Sequence, residues 1–127
     1  MQRFVIGMLA TLVLAVAVPA SAQAGAAWAY GTKFSGTMKE PYDVVKCKPT
    51  YTVGREASTG KIYATIKVGN TKCQFSIWMY YRVGAQWYGK TSVWMISGTI
   101  KTPVSADEAY IGASFLYQGV AGSSRII

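Results

Sequence analysis

The stretch Lys72-Cys73-Gln74-Phe75-Ser76-Ile77-Trp78-Met79-Tyr80-Tyr81-Arg82-Val83 decides how the chain is read. Every second residue gives Cys73, Phe75, Ile77, Met79, Tyr81 and Val83 on one side, against Gln74, Ser76, Trp78, Tyr80 and Arg82 on the other. A period of two belongs to a strand, whose successive side chains point to opposite faces. The first set is apolar and faces a core, so the second, with two large rings, faces out. Residues 61–68 divide the same way, Ile62, Ala64, Ile66 and Val68 against Lys61, Tyr63, Thr65 and Lys67. Residues 45–53 give Val45, Cys47, Pro49, Tyr51 and Val53 inward and Lys46, Lys48, Thr50 and Thr52 outward. Later strands are expected over residues 87–100 and 109–118, and Trp28, Tyr30 and Phe34 mark a loosely held N-terminal strand. Turn residues fill the gaps, at 54–60, Gly69-Asn70, Gly84, Gly98, 101–107 and 119–124. Five or six strands at this spacing predict an all-β fold, a small antiparallel β-sandwich or barrel-like domain with one disulfide.

Both cysteines fall in inward sets, which predicts a Cys47–Cys73 bridge. If residues 45–53, 61–68 and 72–83 formed one meander, the two Cα atoms would stand about 9 to 10 Å apart across a central strand. A disulfide needs less than about 7 Å. The Cys47 strand therefore pairs directly with the Cys73 strand or faces it across the core, and the cross-core arrangement is preferred. Residues 61–83 are expected to form a hairpin through Gly69-Asn70, with Val68 facing Cys73 and Ile66 facing Phe75. On its outer face Tyr63 would then lie opposite Trp78, and Lys61 opposite Tyr80.

Of 127 residues, 51% are hydrophobic and 14% charged, with thirteen Lys and Arg, five Asp and Glu, two Cys and no His. One domain is the most such a length holds. The chain opens Met1-Gln2-Arg3, continues apolar through residue 18 and reaches Pro19-Ala20-Ser21-Ala22. This pattern predicts a secretory signal peptide over residues 1–24, cleaved after Ala22 or Ala24, since the apolar run is too short to span a membrane. A single β domain over residues 25–127 remains, with 25–43 an extended arm, either an edge strand or free. It carries twelve basic against five acidic residues, a balance of +7, with no transmembrane anchor and no N-terminal Cys for a lipid anchor.

Without His there is no Ser-His-Asp or Cys-His machinery and no commonplace zinc site. Glu40 with Asp43, or Glu56 with Asp107 or Glu108, lacks any spacing indicative of a glycosidase pair, and Ser114 in Gly112-Ala113-Ser114-Phe115 lacks a nucleophile elbow. The expectation is a non-enzyme without metal or cofactor. Trp78, Tyr80, Tyr63, Lys61 and Arg82 are expected to make an aromatic and cationic platform able to hold a partner's apolar side chains or a sugar. Trp87 and Tyr88, after the Gly84 turn, are a second candidate at a loop end, and one aromatic set of Trp87, Tyr88 and Trp94 should be core. Lys46, Lys48, Lys61 and Lys67 on outward sets offer attraction to an anionic surface.

The run Cys47-x3-Tyr51-x-Val53, Gly60-x-Ile62-Tyr63-x-Thr65 and Cys73-x-Phe75-x-Ile77 resembles small secreted actinobacterial proteins of the spore-associated protein A type. The likeness covers residues 47–77 and, more loosely, 98–115, and the chain ends without the further Cys that such proteins carry. The resemblance implies a secreted β domain without assigned catalysis, similar to adaptor subunits of exported antibacterial toxin assemblies. The functional expectation is a secreted, extracellular adaptor, accessory subunit or inhibitor that binds an exported protein. A carbohydrate or cell-surface module, engaging a carbohydrate or an anionic cell-envelope polymer, is the alternative, and a small cationic antimicrobial protein a third. Nucleic acid is not an expected partner.

Overall fold

The computed structural model describes residues 28–39 and 41–127; the expected signal peptide and its cleavage positions lie outside them. In chain order the elements are β1 (Lys33–Thr37), α1 (Tyr42–Lys46), β2 (Pro49–Arg55), β3 (Ile62–Val68), β4 (Cys73–Val83), β5 (Gln86–Thr91), β6 (Ser97–Lys101), β7 (Glu108–Tyr117) and β8 (Val120–Arg125). They form two four-stranded antiparallel sheets, ordered β1-β2-β3-β6 and β5-β4-β7-β8. The first presents Val53, Ala64 and Ile100 as one buried row in register, with Ile62 and Ile66 beside it. The second answers with Phe75, Ile77 and Met79 of β4 and Ile111, Ala113 and Phe115 of β7. Phe75 and Phe115 are register partners with ring centroids 6.2 Å apart. Each fully buried side chain of this size contributes about 1.5 to 3 kcal/mol, so these two faces hold the sandwich together.

The Cys47–Cys73 disulfide is present, with Cα atoms 5.5 Å apart. Cys47 ends α1 on the way into the first sheet, and Cys73 opens β4 in the second, so the bridge ties the layers. A second tie runs through residues 92–96. Ser92 N donates to the Ile77 carbonyl (2.8 Å), Phe75 and Met95 exchange two backbone hydrogen bonds of 2.8 Å, and Val68 N reaches the Ile96 carbonyl at 3.4 Å. The chain thus leaves the edge of one sheet and arrives at the edge of the other.

Several expectations are corrected. Residues 61–83 are not a hairpin: β3 pairs with β2 and β6, whereas β4 pairs with β5 and β7. Gly69 and Asn70 carry the chain across the core, because both amides donate to the Cys47 carbonyl and the Asn70 side-chain amide donates to the Lys46 carbonyl. Residues 45–48 are not strand. One turn of helix buries Val44 and Cys47, spaced three apart, and leaves Val45 exposed. Residues 87–100 divide into β5 and β6 around the crossing. Of residues 119–124, read as a turn, 120–124 belong to β8, and the turn is Gln118-Gly119, with φ of 49° and 80°. Two consecutive left-handed residues are the requirement of a tight two-residue hairpin.

The N-terminal strand is also held more firmly than expected. Trp28 is 3% exposed and packs edge-on against Phe34. The buried Arg55 guanidinium donates to the carbonyls of Trp28 (2.7 Å) and Gly60 (2.9 Å) and to Ser105 Oγ (3.2 Å), with the Tyr30 ring 4.3 Å away. In the described residues the arm is a docked edge strand, β1 against β2.

Candidate functional site

The outer face of the second sheet gathers aromatic rings because four strands place them in adjacent rows. Trp78 pairs with Gly112, and Gly112 with Arg125; Tyr80 pairs with Tyr110; Arg82 pairs with Trp87 and Glu108. Trp78 lies down on Gly112, where a Cβ would stand 2.2 Å from the indole and 2.5 Å from the Ser124 carbonyl oxygen. Trp87 reaches over to stack on both tyrosines, at 5.0 Å from Tyr80 and 5.6 Å from Tyr110, inclined 15° to each. The Arg125 guanidinium stands 4.8 Å from the centre of the Tyr110 ring. Trp78, Tyr80, Tyr110 and Arg125 bound an open depression of about 550 Å³, and Trp87 backs the tyrosines from outside that lining. The rings are thereby fixed before any ligand arrives.

Of the residues expected to bind, Trp78, Tyr80 and Trp87 share this surface. Tyr63 and Lys61 do not, because Tyr63 sits on β3 and Lys61 immediately before it, in the opposite sheet, where the Tyr63 ring covers Gly54. Arg82 is on the right face, but its charge is engaged: Nε donates to Glu108 (2.8 Å), Nη1 donates to the Gly84 carbonyl (2.6 Å), and Asp107 lies 3.7 Å off. It clamps the strand end. Tyr88 points to the other face of β5, stacks on Tyr81 and is 47% exposed. None of Trp87, Tyr88 and Trp94 is a core residue: the first two lie on β5, an edge strand, and Trp94 is half exposed in the crossing that follows it.

Tyr110 and Arg125 were missed. Tyr110 lies in a strand that the alternation finds, but Ala109, Ile111 and Ala113 are needed to fix its face. Arg125 was hidden in a segment whose Gly and Ser residues look like a turn. Beside Trp78, whose register partner is Thr91, the crossing exposes Val93 (78%), Trp94 (49%) and Ile96 (50%).

Among the described side chains Glu56, Asp107 and Glu108 are held by Lys101 and Arg82. Glu56 accepts from Lys101 Nζ at 2.6 Å and from Thr59, and these bonds, the lysine's first, hold its carboxyl below the ordinary value of 4.5. Among the described residues no three His, Cys, Asp or Glu are grouped to hold a metal ion, and no helix is long and apolar enough to cross a membrane. Comparison of the chain with protein-family models, with curated proteins and with solved structures returns no match.

Proposed function

We propose that the chain is an exported, non-enzymatic binding domain that engages another exported protein, as an adaptor, accessory subunit or inhibitor. The observation that carries this reading is the grouping of Trp78, Tyr80, Tyr110 and Arg125 around one open depression, with Trp87 stacked on both tyrosines. Trp, Tyr and Arg supply most of the binding energy at protein interfaces. Rings already stacked on one another lose little freedom when a partner covers them. In the neighbouring crossing Val93 and Ile96 expose aliphatic groups beside Trp94, and such groups suit a protein partner better than a sugar.

Export is supported by the signal-like N-terminus and by a disulfide, which persists in oxidising compartments. The non-enzymatic part is supported by the lack of His and by carboxylates committed to Lys101 and Arg82. The resemblance to proteins of the spore-associated protein A type points toward the same accessory role.

The test is affinity capture of the partner from culture fluid, followed by titration of the purified pair. Trp78→Ala and Tyr110→Ala should each weaken the complex about thirtyfold, the effect of losing roughly 2 kcal/mol at a buried anchor. Tyr63→Ala, on the opposite sheet, should leave it unchanged. Ring-dependent binding to soluble oligosaccharides without a protein partner would replace this reading with the carbohydrate module; killing of bacteria indifferent to Trp78 would replace it with the antimicrobial one.

A further inference from the structure

Lysine ammonium groups repel one another, yet this fold collects them. Lys46 and Lys48 flank Cys47 and Lys72 precedes Cys73, so a bridge with Cα atoms 5.5 Å apart draws three lysine positions together. Lys39 joins them because Met38 N donates to the Pro49 carbonyl at 3.1 Å, and Lys67 because its register partner is Thr50, two residues beyond Lys48. Lys39, Lys48, Lys67 and Lys72 are exposed, and Lys46 Nζ lies 5.7 Å from the centre of the Tyr117 ring. Glu56, Asp107 and Glu108 sit at the other end of the strands, held by Lys101 and Arg82. By sequence only Glu40 and Asp43 accompany the lysines, which outnumber them five to two. Lys48 is moreover held at φ 51°, a left-handed conformation that a lysine adopts only under constraint.

From this end a groove of about 250 Å³ opens on the outer face of the first sheet, lined in part by Ser35, Thr50, Thr52, Thr65 and Lys67. Ser35, Thr52, Thr65 and Thr99 are successive register partners, one hydroxyl from each of four strands. Ser35 and Thr52 hydroxyls lie 3.1 Å apart, and those of Thr65 and Thr99 2.7 Å. Each such pair uses one of its two protons internally and keeps one to donate outward. Gly36 and Tyr51 complete the lining, and the Tyr51 ring lies against Gly36, where a Cβ would stand 2.7 Å from the tyrosine oxygen.

We infer that this groove and the lysines at the disulfide end form a second binding site, for a linear phosphodiester polymer of the polyol-phosphate kind. Lysines and hydroxyls are donors, and their complement is a repeated anion rich in acceptor oxygens. The cations are all lysines, point charges that bind phosphate oxygens, and the hydroxyl row adds donors for the ester and polyol oxygens between successive phosphates. A nucleic acid would want several free rings on which to stack its bases, and the one ring in the lining, Tyr51, is already laid against Gly36. The site lies on the opposite sheet from the aromatic depression and is independent of it.

The test is titration of the mature, oxidised protein with a glycerol-phosphate oligomer at several salt concentrations, with melting temperatures confirming that each variant folds. Affinity should fall steeply with salt. Lys48→Gln and Lys67→Gln should each weaken binding about tenfold at low salt and reduce the salt slope by about one. Thr52→Val should weaken it severalfold at unchanged slope. Lys101→Gln and Trp78→Ala should bind as the parent does, which also keeps this result separate from the protein-partner experiment. Equal loss in Lys101→Gln would overturn the site by showing mere attraction to net charge. So would equal binding of a polyuronate or a neutral polyol, absence of binding at low salt, or capture by phosphatidylglycerol vesicles in preference to the oligomer.

Discussion

Gly112 determines where Trp78 can lie, and this can be measured. Gly112→Ala places a methyl group against both the indole and the Ser124 carbonyl oxygen, so it should destabilise by about 1 to 3 kcal/mol, as other overpacked sites do. Trp78→Ala removes only a half-buried cross-strand ring and should cost about 1 kcal/mol. In chemical denaturation the double variant should recover part of the Gly112→Ala loss, the carbonyl contact alone remaining. Lys48→Asn should shift stability the other way, by about 1 kcal/mol, because asparagine enters the left-handed region more readily, while it removes a charge from the disulfide end. Glu56 gives the pH dependence. Its folded carboxyl titrates below the ordinary value, so the Lys101 bond supports the fold above that value and its contribution is lost as pH falls through the folded one. In an NMR titration Lys101→Gln should move the Glu56 carboxyl back up toward 4.5. Trp78 and Tyr80 were legible as surface rings because their neighbours in β4 are so evenly apolar. Tyr110 and Arg125 were not, since a ring or a cation joins a site only through pairing partners far away in sequence.

Among the elements, β8 shows what alternation misses. Val120-Ala121-Gly122-Ser123-Ser124-Arg125 has no apolar side to reveal it, and it is a strand because β7 offers a complete ladder and Gln118-Gly119 a tight turn. The hairpin expected over 61–83 failed for the opposite reason. Its two apolar sets really do face each other, but across the core, and an alternation pattern cannot tell a neighbour in a sheet from one opposite it. The disulfide was the more informative constraint, because its distance limit already ruled out the simple meander. Replacing Cys47 and Cys73 together by alanine should lower stability by about 3 kcal/mol under the loop-entropy account, given the 26-residue separation. Trp28→Ala should cost about 3 to 5 kcal/mol, as for other buried tryptophans, and removing residues 28–36 should prevent folding. An arm free to donate itself to a partner's sheet would instead leave the melting curve where it was.

At the scale of the whole molecule, the two sheets turn different chemistries outward: stacked rings with the guanidinium groups of Arg82 and Arg125 on one side, hydroxyls and lysines on the other. If both are occupied, one small domain holds a protein and a polyanion back to back, about 10 Å of core between the sheets. The crossing at residues 92–96 also makes the sandwich asymmetric, like a bound book. Along that margin the pages share a covalent spine, hydrogen-bonded to β4 and then to β3. At the fore-edge, β1 and β8 end their sheets with no such strand between them, and α1 packs against β7 and β8 as the only nearby clasp among the described elements. Thermal breathing should therefore begin at the fore-edge. In native-state hydrogen exchange the amides of β1 and β8 should exchange first and those of β4 that face the spine last, at Phe75 and Ile77.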